Sequence, residues 1–179
     1  KIVDWKYSTS TDTIYPLGSL TVTQERVYFI ATPSPDLDDS SEGVPLYIYS
    51  LNSSSGEEAW RFNISGSESE RSHHLRQILT LRDGTVYASG VDGRIYAVDA
   101  DSGTEEWNMS IRHWVNSDVV PFSTVSDGVA YVAGVNAEVR ALDATTGRLL
   151  WNSSIKNGTS LTGTISDVFL TGTVSGDTV

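Results

Sequence analysis

A tryptophan that recurs at Trp60, Trp107 and Trp151, a glycine four positions before each, and turn-forming residues about every 8 to 12 positions predict an all-β protein. The expected architecture is a β-propeller of four-stranded antiparallel blades, present as an incomplete arc of three full blades and two partial ones.

The period comes first. Trp5, Trp60, Trp107 and Trp151 are followed by spacings that settle at 47 and 44 residues, and Gly56, Gly103 and Gly147 keep step with the last three. Around them stand Ser50-Leu51-Asn52 before Gly56, Ala97-Val98-Asp99 before Gly103, and Ala141-Leu142-Asp143 before Gly147. A second landmark runs at the same period, in Asp83-Gly84-Thr85-Val86-Tyr87, in Asp127-Gly128-Val129-Ala130-Tyr131 and, shortened, in Asp167-Val168-Phe169.

Within a unit, four strands follow from composition. In the second unit they are expected at 75–81, 85–90, 94–99 and 105–111, joined by Asp-Gly and Ser-Gly turns. Asp-Gly supplies the positive φ of a tight hairpin, and Val, Ile, Tyr and Trp fill a pleated surface buried on both faces. No stretch keeps a helical apolar face for more than about two turns, so a helical solenoid is excluded. Residues 1–9 are expected to be the last strand of a preceding blade, 14–64 a blade with an insertion at 32–44, 73–111 and 118–155 two more, and 161–179 the first strands of another.

The pattern Ala-x-Asp-x-x-Thr/Ser-Gly-x-x-x-Trp resembles the tryptophan-docking repeat of quinoprotein dehydrogenases, the pyrroloquinoline-quinone type, and of the BamB-like propellers that share the scaffold without the chemistry. The resemblance covers most of 14–179; the unit ending at Trp60 departs from it with Ser50 and Asn52 in place of Ala and Asp. It implies that Trp5, Trp60, Trp107 and Trp151 pack between blades, that Ala97 and Ala141 make room for them, and that Asp99, Asp143 and the glycines shape the last turn. Trp60, Trp107 and Trp151 are each expected to be buried on an outermost strand. Dehydrogenases of this type carry a quinone, a calcium ion, a catalytic Asp and often a vicinal Cys pair. This chain has no Cys and no extra segment rich in unexplained carboxylates on the repeat loops that would face a funnel, so no cofactor is predicted.

Composition limits the partners. The chain carries 12 Lys and Arg against 23 Asp and Glu, a net charge of −11, which makes a poor footprint for nucleic acid. Few lysines and many carboxylates resemble the proteins of salt-loving archaea, where salt screens the self-repulsion of an acidic surface. No apolar run is long enough to span a bilayer. Five of the asparagines, Asn52, Asn63, Asn108, Asn152 and Asn157, open an Asn-x-Ser/Thr sequence, the acceptor sequence for N-linked glycans, with Asn63, Asn108 and Asn152 expected at the perimeter; the excess points to a cell-surface or exported protein.

Other candidates for chemistry have plainer readings. Asp99, Asp101 and Glu105 resemble a calcium loop but lack its spacing and terminal bidentate Glu, so turn chemistry is preferred. His73 and His74 are adjacent and would point to opposite faces of a strand; with His113 they are read as loop residues. The insertion holds Asp36, Asp38, Asp39 and Glu42 and is read as a solvated loop on one rim. No catalytic residue is assigned, and the expected role is a protein-interaction or assembly scaffold. The alternative is a fragment of a quinone- or metal-dependent oxidoreductase whose active residues lie elsewhere. Because Ile2 to Tyr7 read as a Trp-bearing last strand and 172–179 stop before the Ala-x-Asp half, the arc is expected to belong to a larger ring or, less so, to pair with a second copy.

Overall fold

The computed structural model describes residues 14–33, 45–64, 79–90, 93–110, 122–133 and 138–154. They form three four-stranded antiparallel sheets, each with its strands in chain order. The first holds β1 (Tyr15–Val22), β2 (Arg26–Thr32), β3 (Tyr47–Asn52) and β4 (Glu58–Asn63). The second holds β5 (Leu79–Arg82), β6 (Thr85–Ser89), β7 (Arg94–Asp99) and β8 (Glu105–Ser110). The third holds β9 (Phe122–Ser126), β10 (Val129–Ala133), β11 (Glu138–Asp143) and β12 (Leu149–Ser154). The first strands, β1, β5 and β9, approach one another in series, which is how propeller blades radiate from an axis.

Local chemistry explains the turns. Asp83 and Gly84, at φ 49° and 84°, and Asp127 and Gly128, at 50° and 73°, give two consecutive left-handed residues, the signature of the type I′ turn whose twist matches its strands. Arg82 consequently pairs with Thr85, and Ser126 with Val129. The first sheet lacks Asp-Gly and closes its hairpin with Thr23, whose hydroxyl accepts the backbone N–H of Arg26 at 2.9 Å.

The three turns between third and fourth strands are copies of one another. Gly56, Gly103 and Gly147 donate their N–H groups to the carbonyls of Asn52, Asp99 and Asp143 at 2.8, 2.9 and 2.8 Å. After each turn the register slips. Trp60 lies opposite Ser50, Trp107 opposite Ala97 and Trp151 opposite Ala141, with Ala59, Glu106 and Leu150 as extra bulge residues just before them. A small residue therefore faces each indole.

The core lies between sheets. Tyr28, Ile30, Ile48 and Trp60 of the first sheet pack with Val86, Tyr96, Val98 and Ala100 of the second, and Tyr87, Ile95 and Trp107 of the second with Val132, Leu142 and Ala144 of the third. Each large side chain buried this way contributes about 1.5–3 kcal/mol relative to exposure, so the sheets hold one another rather than standing alone.

The expectation of burial holds for Trp60 and Trp107, 9% and 8% exposed, and fails for Trp151, which is 46% exposed. The indoles of Trp60 and Trp107 are covered by the third-to-fourth turn of the following repeat, and the residues after Ser154 lie outside the described ones. Trp5, Asn157, the three histidines and the carboxylates of the insertion lie outside the described residues, as do 1–9 and 161–179.

Candidate functional site

The best-defined constellation is the joint between sheets. At the first joint the Trp60 indole donates its Nε1–H to the carbonyl of Ala100 at 3.0 Å, and the Tyr28 hydroxyl donates to the same oxygen at 3.2 Å. At the second, Trp107 Nε1 and the Tyr87 hydroxyl meet the Ala144 carbonyl at 2.9 and 3.1 Å. One carbonyl thus uses both of its lone-pair directions on two donors from the neighbouring sheet.

The acceptor is held from behind. Ala100 donates its own N–H to Gly84 at 2.8 Å, and Ala144 donates to Gly128 at 2.9 Å, so the receiving turn is tied to the Asp-Gly hairpin of its own sheet. The rings pack as well as bond. Tyr28 and Trp60 have centroids 5.9 Å apart, and Tyr87 and Trp107 6.0 Å apart, in tilted arrangements favourable for aromatic pairs.

Glycine is needed under each indole for two reasons. Gly103 and Gly147 have φ of 73° and 69°, and a Cβ at Gly103 would lie 2.6 Å from a Trp60 ring carbon, at Gly147 2.7 Å from Trp107. Any side chain would push the ring out of its slot.

The Asp residues are spent on the same turns. Asp99 Oδ1 accepts the N–H of Ser102 at 2.8 Å and its hydroxyl at 2.6 Å; Asp143 Oδ1 accepts the N–H and hydroxyl of Thr146, both at 2.8 Å. These bonds, the Ser102 and Thr146 hydroxyls foremost, hold both carboxyls below the ordinary range. Asn52 does the same work with an amide, accepting the N–H groups of Ser54 and Ser55 at 2.9 and 3.0 Å. Among the described residues no group of three or more His, Asp or Glu is placed to hold a metal ion.

Beside the first joint an open cleft of about 540 Å³ is lined by the Thr23–Arg26 turn, Tyr28, Leu81 to Gly84, Ala100 and Asp101. Its walls carry Glu25, Arg26, Arg82, Asp83 and Asp101, and Arg82 already lies 3.6 Å from Asp83. Of the sequence-expected sites, Asn63, Asn108 and Asn152 lie exposed on β4, β8 and β12, and Asn52 is half-buried in its turn. Of the two tyrosine donors, Tyr87 stands in the second landmark of the sequence and Tyr28 was not singled out there. Their recurrence shortly after the first hairpin, at Tyr28, Tyr87 and Tyr131, was the available signal.

A family model described as "Outer membrane protein assembly factor BamB" matches residues 46–179. No curated protein matches the chain significantly. Among solved structures it is similar to quinohemoprotein alcohol dehydrogenase from Comamonas testosteroni, with 20% identity and a TM-score of 0.56, covering 79% of this chain and 21% of that one. It is also similar to apo AztD from Citrobacter koseri, at 15% identity and TM-score 0.54, over 87% of this chain and 39% of that one. A third similarity is to the computationally designed Ika4 protein, at 13% identity and TM-score 0.52, over 83% and 76%. The chain spans about a fifth of the quinohemoprotein's length, and at these identities the likeness shows the propeller fold alone.

Proposed function

We propose, from the premise that this chain belongs to the pyrroloquinoline-quinone-repeat propeller family described as outer membrane protein assembly factor BamB, that it is a non-enzymatic scaffold for protein interaction or assembly. One observation carries the reading: the polar groups of the repeat motif are consumed by the fold. The indoles of Trp60 and Trp107, the hydroxyls of Tyr28 and Tyr87 and the inner carboxylate oxygens of Asp99 and Asp143 all have partners within the joints. The repeats thereby form a rigid support, and the turns at one rim and the outer strands are what a partner meets. The family description, an assembly factor, is in keeping with this. The excess of Asn-x-Ser/Thr sequences supports a cell-surface or exported location.

The test is a titration of the purified chain with pyrroloquinoline quinone and calcium. The expected result is an unshifted quinone spectrum and no dye reduction with alcohols or sugars. A one-to-one quinone complex would replace the scaffold reading with that of an oxidoreductase fragment.

A further inference from the structure

Three Asn-x-Ser sequences fall at equivalent places in the architecture. Asn63 ends β4, Asn108 lies in β8 and Asn152 in β12, and each of these strands borders its sheet with a paired neighbour on one side only. Each sheet thus carries one, on its outermost strand, and all three asparagines are exposed.

Their orientation matters. Successive side chains of a strand point to opposite faces, so Asn108 and Asn152, one residue after their tryptophan, and Asn63, three residues after, face away from the docking side. Asn108 lies opposite Tyr96 and Asn152 opposite Arg140, on the faces that their sheets turn toward the preceding one, and both are exposed there. The Asn108 amide is engaged by the exposed side chains of Arg94 and Glu105, whereas Asn52 is tied to the backbone of its own turn. Asn52 Oδ1 accepts two backbone N–H groups and, at 2.7 Å, the hydroxyl of Ser54, which is the serine of its own sequence motif.

We infer that Asn63, Asn108 and Asn152 are acceptors for N-linked glycans and that Asn52 is not, an inference that rests on the exported location proposed above. The donor is a lipid-phosphate-linked oligosaccharide. The amide nitrogen Nδ2 forms a bond to the anomeric carbon of the first sugar while the bond from that carbon to the phosphate oxygen breaks, the lipid phosphate leaves, and one Nδ2 proton passes to a base of the transferase. A modified amide keeps one N–H, so the 2.7 Å bond from Asn108 Nδ2 to Glu105 can persist. The glycans would stand over the sheet borders, where unpaired backbone groups otherwise invite strand addition, and would leave the turn rim clear.

The full chain secreted from a eukaryotic host, as wild type and as N52Q, N63Q, N108Q and N152Q, tests this by gel mobility before and after amide-cleaving glycosidase. Isotope-labelled deamidation mapped by mass spectrometry identifies the sites. The expected result is loss of one glycan increment in each of N63Q, N108Q and N152Q, with circular dichroism unchanged, and no loss in N52Q. Glycan increments retained in N63Q, N108Q and N152Q, or label confined to Asn52 and Asn157, would overturn the inference. Localisation in the native cell is read separately by surface labelling: a chain found only inside defeats the exported reading and leaves the acceptor measurement standing.

Discussion

Trp107 and Trp151 occupy the same station in successive repeats. Each follows a bulge, faces an alanine and packs beside a tyrosine, Tyr131 and Trp151 having centroids 6.1 Å apart against 6.0 Å for Tyr87 and Trp107. One is 8% exposed and the other 46%. Everything the repeat itself supplies is therefore present at both, and what Trp107 has besides is the turn of the third sheet, with Gly147 beneath its ring and the Ala144 carbonyl on its Nε1–H. The motif builds the donor half of a joint; burial comes from the acceptor turn of the next sheet.

The sharpest way to break this comparison is to truncate both indoles. Trp107→Ala is expected to cost about 3–5 kcal/mol, since it empties a packed slot and leaves the Ala144 carbonyl with one donor fewer. Trp151→Ala should cost about 1 kcal/mol or less, as befits a half-exposed site. Equal losses in urea denaturation would mean that the two stations are equivalent after all.

A smaller effect separates two glycines of one sheet. Gly103→Ala sets a methyl against the Trp60 ring in a left-handed backbone and should cost about 2–4 kcal/mol. Gly84→Ala meets nothing within 4 Å and keeps only the backbone strain, about 1–2 kcal/mol. If thermal denaturation gives the same loss for both, the slot is looser than the distances indicate.

The smallest effect is on pH dependence. Asp99 and Asp143 have carboxyls lowered in the folded state, so their contribution is present above the ordinary Asp value and is lost as pH falls through the lowered one. Tyr28 and Tyr87 are raised by burial, so theirs is present below the ordinary Tyr value near 10 and is lost as pH rises past it. Asp99→Asn, imitating Asn52, should flatten the acid limb of a stability profile and leave the alkaline limb alone. An unchanged acid limb would show that the turn does not depend on the charge.

Much of the blade pattern was legible because turn chemistry and hydrophobic strands alternate at a fixed period. Asp83-Gly84 and Asp127-Gly128 could be placed before any coordinates, since two consecutive positive φ values need those residue types. The bulges at Ala59, Glu106 and Leu150 were not legible: an extra residue in a strand changes register without changing composition. Nor was the second donor, because a tyrosine in a buried strand gives no sign of where its hydroxyl ends. The exposure of Trp151 escaped the motif for the reason its comparison with Trp107 makes plain, that burial belongs to a pair of repeats.

Residue 100 has one further consequence. Its N–H closes its own sheet and its carbonyl receives the preceding one, so a single repeat is both plug and socket. Tandem duplication of such a unit yields a matched joint at once, with no new surface to be evolved. Copies can then diverge on rim and edge, as Ser50 and Asn52 have diverged from Ala97 and Asp99, while the fastening between them stays common property.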